Sequence, residues 1–537
     1  MIGDHSFSPG TLWEHARQAL ISSSHSTIRI APGARQRIAE AAAYVGTVAR
    51  SEFPVYGVNT GVGHFADVAV APERIEQLQS NLIRSHCCSV GEPLSRDLVL
   101  AMWLVRLNTI CLGHSGTRLE TVEAIVRLLE AGVLAVVPSR GSVGASGDLS
   151  PSAHAALPLL GDGWCTVPSG DGFRRVHARE VLAELGMEPL RLRAKEGLSL
   201  INGTQLTTAL ALKCWHEAST LLQHANLAAA MMIEGLHGSR QPLDDRVLKL
   251  HRHPGTLECG KTIAQWLQGP SEIHDSHSAV KWAQDPYSLR CAPQVHGAVW
   301  DEIEQAERLC NEEINAVADN PLLFPQEETA LSCGNFHAIY MARACDRLAS
   351  AMTTLASISE RRTNLAMNSR RTGLPDFLID DGGVQSGLMM AQVTAAALVS
   401  ECKSLSFPAS VDSIPTNNDQ EDHVSMGPTA GFKALTIAKN LRWVLAVEML
   451  AAAQAIDLRR PNRPAPRIRQ IHAAIRRDVA PLGTDRVLST DIETIAQRIE
   501  EGAYFSAWQP PSPHASFAHR EEVNGHAAPG PPKPPSE

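Results

Sequence analysis

Between Asn335 and Asn368, the residues Ala338, Met341, Ala342, Cys345, Leu348, Ala349, Met352, Leu355 and Ala356 recur at the three- and four-residue spacing of one helix face. A stripe of that length cannot sit in a sheet, where apolar side chains alternate with period two. It needs other apolar helices to cover it. Ser386 to Ser404 and Phe432 to Ile456 carry similar stripes, and Gln205 leads into a helical run to Gly235. The spacing therefore predicts a mainly α chain with long helices around a core. Shorter helices are expected over Ala34–Arg50, Ile75–Cys88 and Thr117–Ala131, the last stopped by Gly132. Ser169-Gly170-Asp171-Gly172 predicts a small hairpin between Trp164 and Val176.

With 537 residues, the chain is too long for one compact core. The expected division is an N-terminal, loop-bearing domain over 1–205, a long-helix region over 206–475, a helical segment over 476–508 and a tail over 509–537. Eight of the 33 prolines fall between Pro510 and Glu537, so that tail is expected to be disordered. The net charge of −9, with acids and bases interspersed, speaks against a nucleic-acid surface. Eleven cysteines without a CxxC pattern suit a reducing compartment, and the cytoplasm is expected. No signal-peptide pattern opens the sequence and no apolar run reaches membrane-spanning length.

The loops carry the chemistry. Gly141-Ser142-Val143-Gly144-Ala145-Ser146-Gly147-Asp148-Leu149-Ser150 joins glycines, small residues and an acid ahead of a helix. Gly147 has no side chain, so its amide nitrogen is free to approach the Ala145 carbonyl carbon in strained dihedrals. Loss of water from that ring and from the Ser146 hydroxyl would leave an exocyclic methylene, an electrophile that no ordinary side chain supplies. Taken alone, the triplet reads as a flexible turn. Asp148 is expected to cap the following helix, whose positive end would aim at the loop.

Val137-Pro138-Ser139-Arg140 followed by GSVGASGDLSPSAH resembles the signature of the methylidene-imidazolone-dependent aromatic amino acid ammonia-lyase family, and the likeness recurs in blocks from Tyr56 to Pro428. The resemblance implies a long central helical bundle of the fumarase/aspartase-like kind and a homotetramer with shared active sites. It also implies a prosthetic group formed from Ala145, Ser146 and Gly147, with no external cofactor and no metal. Tyr56 in YGVNTG matches the family's catalytic base, though alone it would read as structural. Asn202 in NGTQ matches the asparagine that supports the prosthetic group and substrate amine; alone it would read as a helix N-cap. In QDPYSLRC, Gln284 and Arg290 fall at substrate-binding positions and Tyr287 at that of a second phenol. A guanidinium grips a carboxylate through two parallel hydrogen bonds, which suits Arg290. Phe336 in GNFH matches a phenylalanine bordering the site.

Two positions point to an imidazole substrate. Ser85-His86 matches histidine-specific members, where the histidine contacts the substrate ring, and Glu421 replaces the glutamine usual in tyrosine- and phenylalanine-specific ones. The implied reaction is non-oxidative deamination of L-histidine to trans-urocanate and ammonia, a step of histidine degradation. Capture of the substrate amine and attack by the imidazole ring are both open as routes. Tyr56 must act as phenolate, so its surroundings are expected to favour the anion. Val62, His64 and the Cys87-Cys88 pair depart from the histidine-specific pattern beside the presumed pocket. The alternatives are a 2,3-aminomutase on histidine or another aromatic amino acid, a lyase for another aromatic amino acid, and a helical scaffold whose triplet never matures. A serine hydrolase would want Gly-x-Ser-x-Gly. His251-Arg252-His253 and His274-Asp275-Ser276-His277 lack a third zinc ligand at recognisable spacing.

Overall fold

The computed structural model describes residues 2–3, 6–21, 27–276 and 284–505. The tail at 509–537 lies outside the described residues. The chain is mainly helical. It runs through α1 (Pro9–Ile21), α2 (Pro32–Val48), α3 (Ile75–His86), α4 (Arg96–Cys111), α5 (Leu119–Glu130), α6 (Leu149–Ala156), α7 (Ala178–Glu184) and α8 (Glu196–Ile201) to the 31-residue α9 (Gln205–Gly235). Short helices α10 (Asp245–Leu250), α11 (Pro254–Trp266), α12 (Glu272–Asp275) and α13 (Tyr287–Arg290) precede the long α14 (Ala292–Ile314) and α15 (Ile339–Ala366). Then come α16 (Ser369–Thr372), α17 (Met389–Leu405), α18 (Gly427–Asp457), α19 (Pro466–Asp478) and α20 (Ser489–Glu500). No described helix is long and apolar enough to cross a membrane.

Three small antiparallel sheets serve as clips. β1 (Val90–Pro93) pairs with β3 (Pro138–Arg140); β2 (Leu134–Ala135) lies beside β4 (Trp164–Ser169), which pairs with β5 (Gly172–His177) through the expected turn; β6 (Leu322–Phe324) pairs with β7 (Thr329–Leu331). β3 is the segment that enters the glycine-rich loop, and its pairing with β1 clips it in place.

The chain divides into two compact units. The first comprises Met1–Ala218, Gln305–Thr353 and Ser400–Asn440; the second comprises Ser219–Glu304, Thr354–Val399 and the described part of Leu441–Glu537. In the first, α4 is buried on nearly every side, including Leu98, Met102, Trp103, Leu107 and Ile110. Its sequence is apolar around the whole circumference, which suits a helix with no solvent face. Every apolar position of the Ala338–Ala349 stretch predicted to be covered is at most 1% exposed, as are Leu355 and Ala356 in the second unit. In the second unit, the fully buried Arg362 and Glu448 form a bidentate ion pair, and Ser359 Oγ donates to the same carboxylate at 2.5 Å. Arg362 also donates to His296 Nε2 at 3.3 Å, which leaves the His296 proton on Nδ1, donated to Asn226 Oδ1 at 2.7 Å. Burial holds His296 well below its ordinary pKa, so it stays neutral.

Candidate active site

The glycine-rich loop reaches α6 through left-handed backbone: Gly144, Ser146 and Gly147 have φ of 77°, 50° and 80°. Positive φ at a non-glycine residue costs roughly 1–2 kcal/mol, so Ser146 sits in stored strain. Gly147 is bridged to Gly203, and the Asp148 amide donates to the Gly203 carbonyl at 2.7 Å. A Cβ on Gly147 would lie 2.5 Å from the Gly203 carbonyl carbon, so only glycine fits. The other side of the loop is held by the Met426 amide, which donates to the Val143 carbonyl at 2.9 Å.

Asp148 does not cap α6 with its side chain. Its buried carboxylate instead accepts from the Thr207 amide at 2.7 Å, the Thr207 hydroxyl at 3.0 Å and Ser142 Oγ at 3.3 Å. It therefore serves the start of α9 and pins the loop to it. Burial pushes this carboxyl up to about 6, against the downward pull of those donors.

Tyr56 lies in the irregular stretch after α2, as the proline and glycines there required. The Gly63 amide donates to its phenol oxygen at 3.0 Å. Gln79, fully buried on α3, ties this loop to α8, donating to the Gly57 carbonyl and accepting from the Leu198 amide. The anticipated anion-favouring surroundings are only partly present. Burial raises the Tyr56 pKa above 10, the Gly63 amide draws it down, and Glu421 pushes it up again.

His86 ends α3. Its Nδ1 faces the Leu82 carbonyl at 2.8 Å, so Nδ1 carries the proton and Nε2 keeps a lone pair. Burial lowers its pKa below 6.5, against smaller raising effects of the Leu82 carbonyl and Glu421, so the ring is neutral near pH 7. Glu421 closes a turn with Thr416. One carboxylate oxygen accepts from Thr416 Oγ1 at 2.8 Å and the other from Ser146 Oγ at 2.9 Å.

Tyr56, His86, Ser146, Asn202 and Glu421 line one cavity of about 470 Å³ within the first unit. Val62, Gly63, Phe65, Leu82 and Ser85 are among its other walls, whereas His64, Cys87 and Cys88 are not. Asn202 is 2% exposed, and its Oδ1 is buried with no hydrogen-bond partner. An orphaned acceptor beside a strained Ala-Ser-Gly turn with no room for a Cβ suits the ring that these three residues would form.

Gln284, Tyr287 and Arg290 belong to the second unit, and the cavity has no lining residue from there. Tyr287 is 71% exposed. The Arg290 guanidinium lies 4.6 Å from its ring centre, and Arg290 Nε donates to the Asp285 carbonyl at 3.0 Å. Phe336 is half-buried in the first unit and likewise does not line the cavity.

Sequence reasoning missed the buried support behind Asn202. Arg106 Nη1 donates to the Asn202 carbonyl at 2.9 Å and the Ala318 carbonyl at 3.0 Å, and its Nη2 pairs with Asp319 at 3.0 Å. Lys195, fully buried, reaches the same Asp319 oxygen at 3.2 Å. Thr204 Oγ1 donates to the half-buried Glu313 at 2.6 Å. None of these charges stands in a motif that separates it from a surface residue.

The profile of the aromatic amino acid lyase family matches residues 14–477. The chain is 48% identical over 478 residues to a histidine ammonia-lyase of Symbiobacterium thermophilum, covering 89% of this chain and 93% of that one. Among solved structures it resembles histidine ammonia-lyase from Trypanosoma cruzi, with a TM-score of 0.84 at 38% identity over 94% of each chain. It also resembles a tyrosine aminomutase from Streptomyces globisporus, with a TM-score of 0.86 at 33% identity over 93% of this chain and 96% of that one.

Proposed function

The chain belongs to the aromatic amino acid lyase family, and from that premise we propose that it is a histidine ammonia-lyase, a carbon–nitrogen lyase converting L-histidine to trans-urocanate and ammonia. One observation carries the substrate: a neutral His86 with a free Nε2 and the Glu421 carboxylate line the same cavity as Ser146. Both are acceptors, and an imidazole supplies an N–H to one of them or, as the cation that the carboxylate favours, to both. A phenyl ring would offer no N–H to His86 Nε2 or to Glu421, whose carboxylate would keep only its contacts within the chain, a loss of about 1–3 kcal/mol in recognition.

Condensed from Ala145, Ser146 and Gly147, the methylidene-imidazolone supplies the electrophile that makes the amine a leaving group. The chain's own side chains do the rest. Tyr56 takes the β-proton as phenolate, with the Gly63 amide holding its oxygen. Asn202 Oδ1 accepts from the substrate amine or the ring. Arg290 grips the substrate carboxylate, Gln284 assists in binding it, Tyr287 serves as the second phenol and Phe336 borders the site. Because the residues from Gln284 to Arg290 and Phe336 do not line the cavity of their own chain, a homotetramer completes each site from several copies. The exposure of Tyr287 supports this reading. The enzyme works in the cytoplasm, in histidine degradation.

The test is incubation with L-histidine, L-tyrosine and L-phenylalanine, following the unsaturated acid and free ammonia. Stoichiometric urocanate and ammonia from L-histidine alone is the expected result. A β-amino acid without ammonia, or preference for either other substrate, would overturn it.

A further inference from the structure

We propose that Asn417 is a positioning residue for the base: it fixes the turn whose Gly63 amide holds the Tyr56 phenol oxygen, and so couples that phenol to the turn carrying Glu421. The inference rests on the reading of Tyr56 as the base.

Thr416 and Glu421 close their turn through two backbone hydrogen bonds, Thr416 N to Glu421 O at 3.0 Å and Glu421 N to Thr416 O at 3.3 Å. Between them, Asn417, Asn418 and Asp419 all lie in the left-handed region, with φ of 53°, 52° and 62°. Asn and Asp tolerate that region best among residues with a side chain, usually as single residues. Three in succession make a tight arch. The arch lays the Asn417 side chain against the base loop. Its Oδ1 accepts from the His64 amide at 3.3 Å, and Cγ would lie only 3.1 Å from a Cβ on Gly63. The Asn417 amide thus rests on the Gly63 backbone, which has a φ of 60° and whose own N–H is donated to the Tyr56 oxygen.

The consequence is electrostatic. Besides Tyr56, the titratable side chains lining this cavity are His86 from α3 and Glu421 from the arch. Glu421 works against the phenolate and His86 is neutral, whereas the Gly63 amide favours the anion. An arch without the Asn417 carboxamide frees Gly63, and the phenol then loses its donor.

Two variants test this. Asn417→Gly keeps the left-handed backbone without strain but removes the carboxamide; Asn417→Asp retains an oxygen acceptor for the His64 amide. Tyr56 is followed by ultraviolet difference titration against a Tyr56→Phe background, which needs no turnover, alongside kcat and KM for L-histidine across pH. In Asn417→Gly, Tyr56 is expected to titrate at higher pH and the rising limb of kcat/KM to move the same way. Its plateau kcat should fall about tenfold with KM within about twofold of the parent. Intact mass should still show loss of two waters from the triplet. Asn417→Asp should recover the plateau kcat. A Gly variant that titrates and turns over like the parent would overturn the proposal, since a purely backbone role predicts that result. If the parent makes no urocanate yet Tyr56 still moves in Asn417→Gly, the activity reading fails and the positioning role stands.

Discussion

Gly147→Ala is the sharpest probe of the strained loop. The added methyl would lie 2.5 Å from the Gly203 carbonyl carbon and 2.9 Å from its Cα, and both are backbone atoms. Gly203 has no room to retreat, because its far side packs against the Ala318 carbonyl and Arg106 holds the Asn202 and Ala318 carbonyls in place. The methyl must displace the loop itself. Alanine at φ near 80° costs about 1–2 kcal/mol, and overpacking adds about 1–3 kcal/mol. Loosening the 2.7 Å Asp148–Gly203 hydrogen bond adds about 1 kcal/mol more. A total of at least 3 kcal/mol falls on the geometry that brings the Gly147 nitrogen to Ala145, so cyclisation should slow by about a hundredfold or more. The α-helical cores do not depend on this contact, so the chain should still fold. Intact mass after refolding is the assay. The parent should lose two waters quickly, whereas Gly147→Ala should retain both and release no ammonia from L-histidine. A variant that loses both waters at the parental rate would refute the argument that a tight approach to Gly203 sets up the ring closure.

Glu421→Gln removes a charged acceptor and should lower kcat/KM for L-histidine by about 10–100-fold relative to L-tyrosine. Burial is the main cause of the raised Tyr56 pKa, but the variant also removes the charge that adds to it, so the rising limb should move to lower pH, opposite in sign to Asn417→Gly; pH–rate profiles of both variants check this. Arg362→Met leaves Glu448 buried without its partner and should cost about 3–5 kcal/mol in denaturant unfolding, much of it recovered in the Arg362→Met, Glu448→Met double variant. A single variant as destabilised as the double would show that the pair is not what orders this core.

What was legible in the sequence had local causes. The stripe through Met341, Cys345, Leu348 and Met352 predicts α15 because each residue's neighbours on the helix face lie three or four positions away. The hairpin at Ser169–Gly172 is likewise set by its own turn residues. Long-range causes were not legible. The nearest acid seemed to belong to α6, yet Asp148 serves Thr207, 59 positions on. α4 carries no amphipathic signal because all its faces are buried. The buried Arg106–Asp319–Lys195 group uses the same residue types as any solvated surface. A faint signal did exist for the arch: Asn417-Asn418-Asp419 is a run of the side chains best suited to left-handed backbone. Its effect on Tyr56 became visible only when the chain brought position 64 to position 417.

Charge balance explains why the motifs are spread so widely along the chain. The cavity of the first unit offers an electron-poor loop, a phenol and two acceptors for a ring, but no lysine or arginine among its lining residues. A substrate carboxylate entering it would meet the Glu421 carboxylate and no cation, and Tyr56, its pKa raised chiefly by burial and further by that same carboxylate, would remain protonated. A guanidinium answers both needs at once, since it pairs with the substrate carboxylate and lowers the cost of a phenolate nearby. Arg290 is the candidate proposed for that role. Its Nε donates to the Asp285 carbonyl, and its flat face rests on an exposed tyrosine. In the proposed tetramer, Arg290 of another copy would supply that cation and ease the deprotonation of Tyr56. The sparse charge of the isolated cavity is then a consequence of the proposed tetramer.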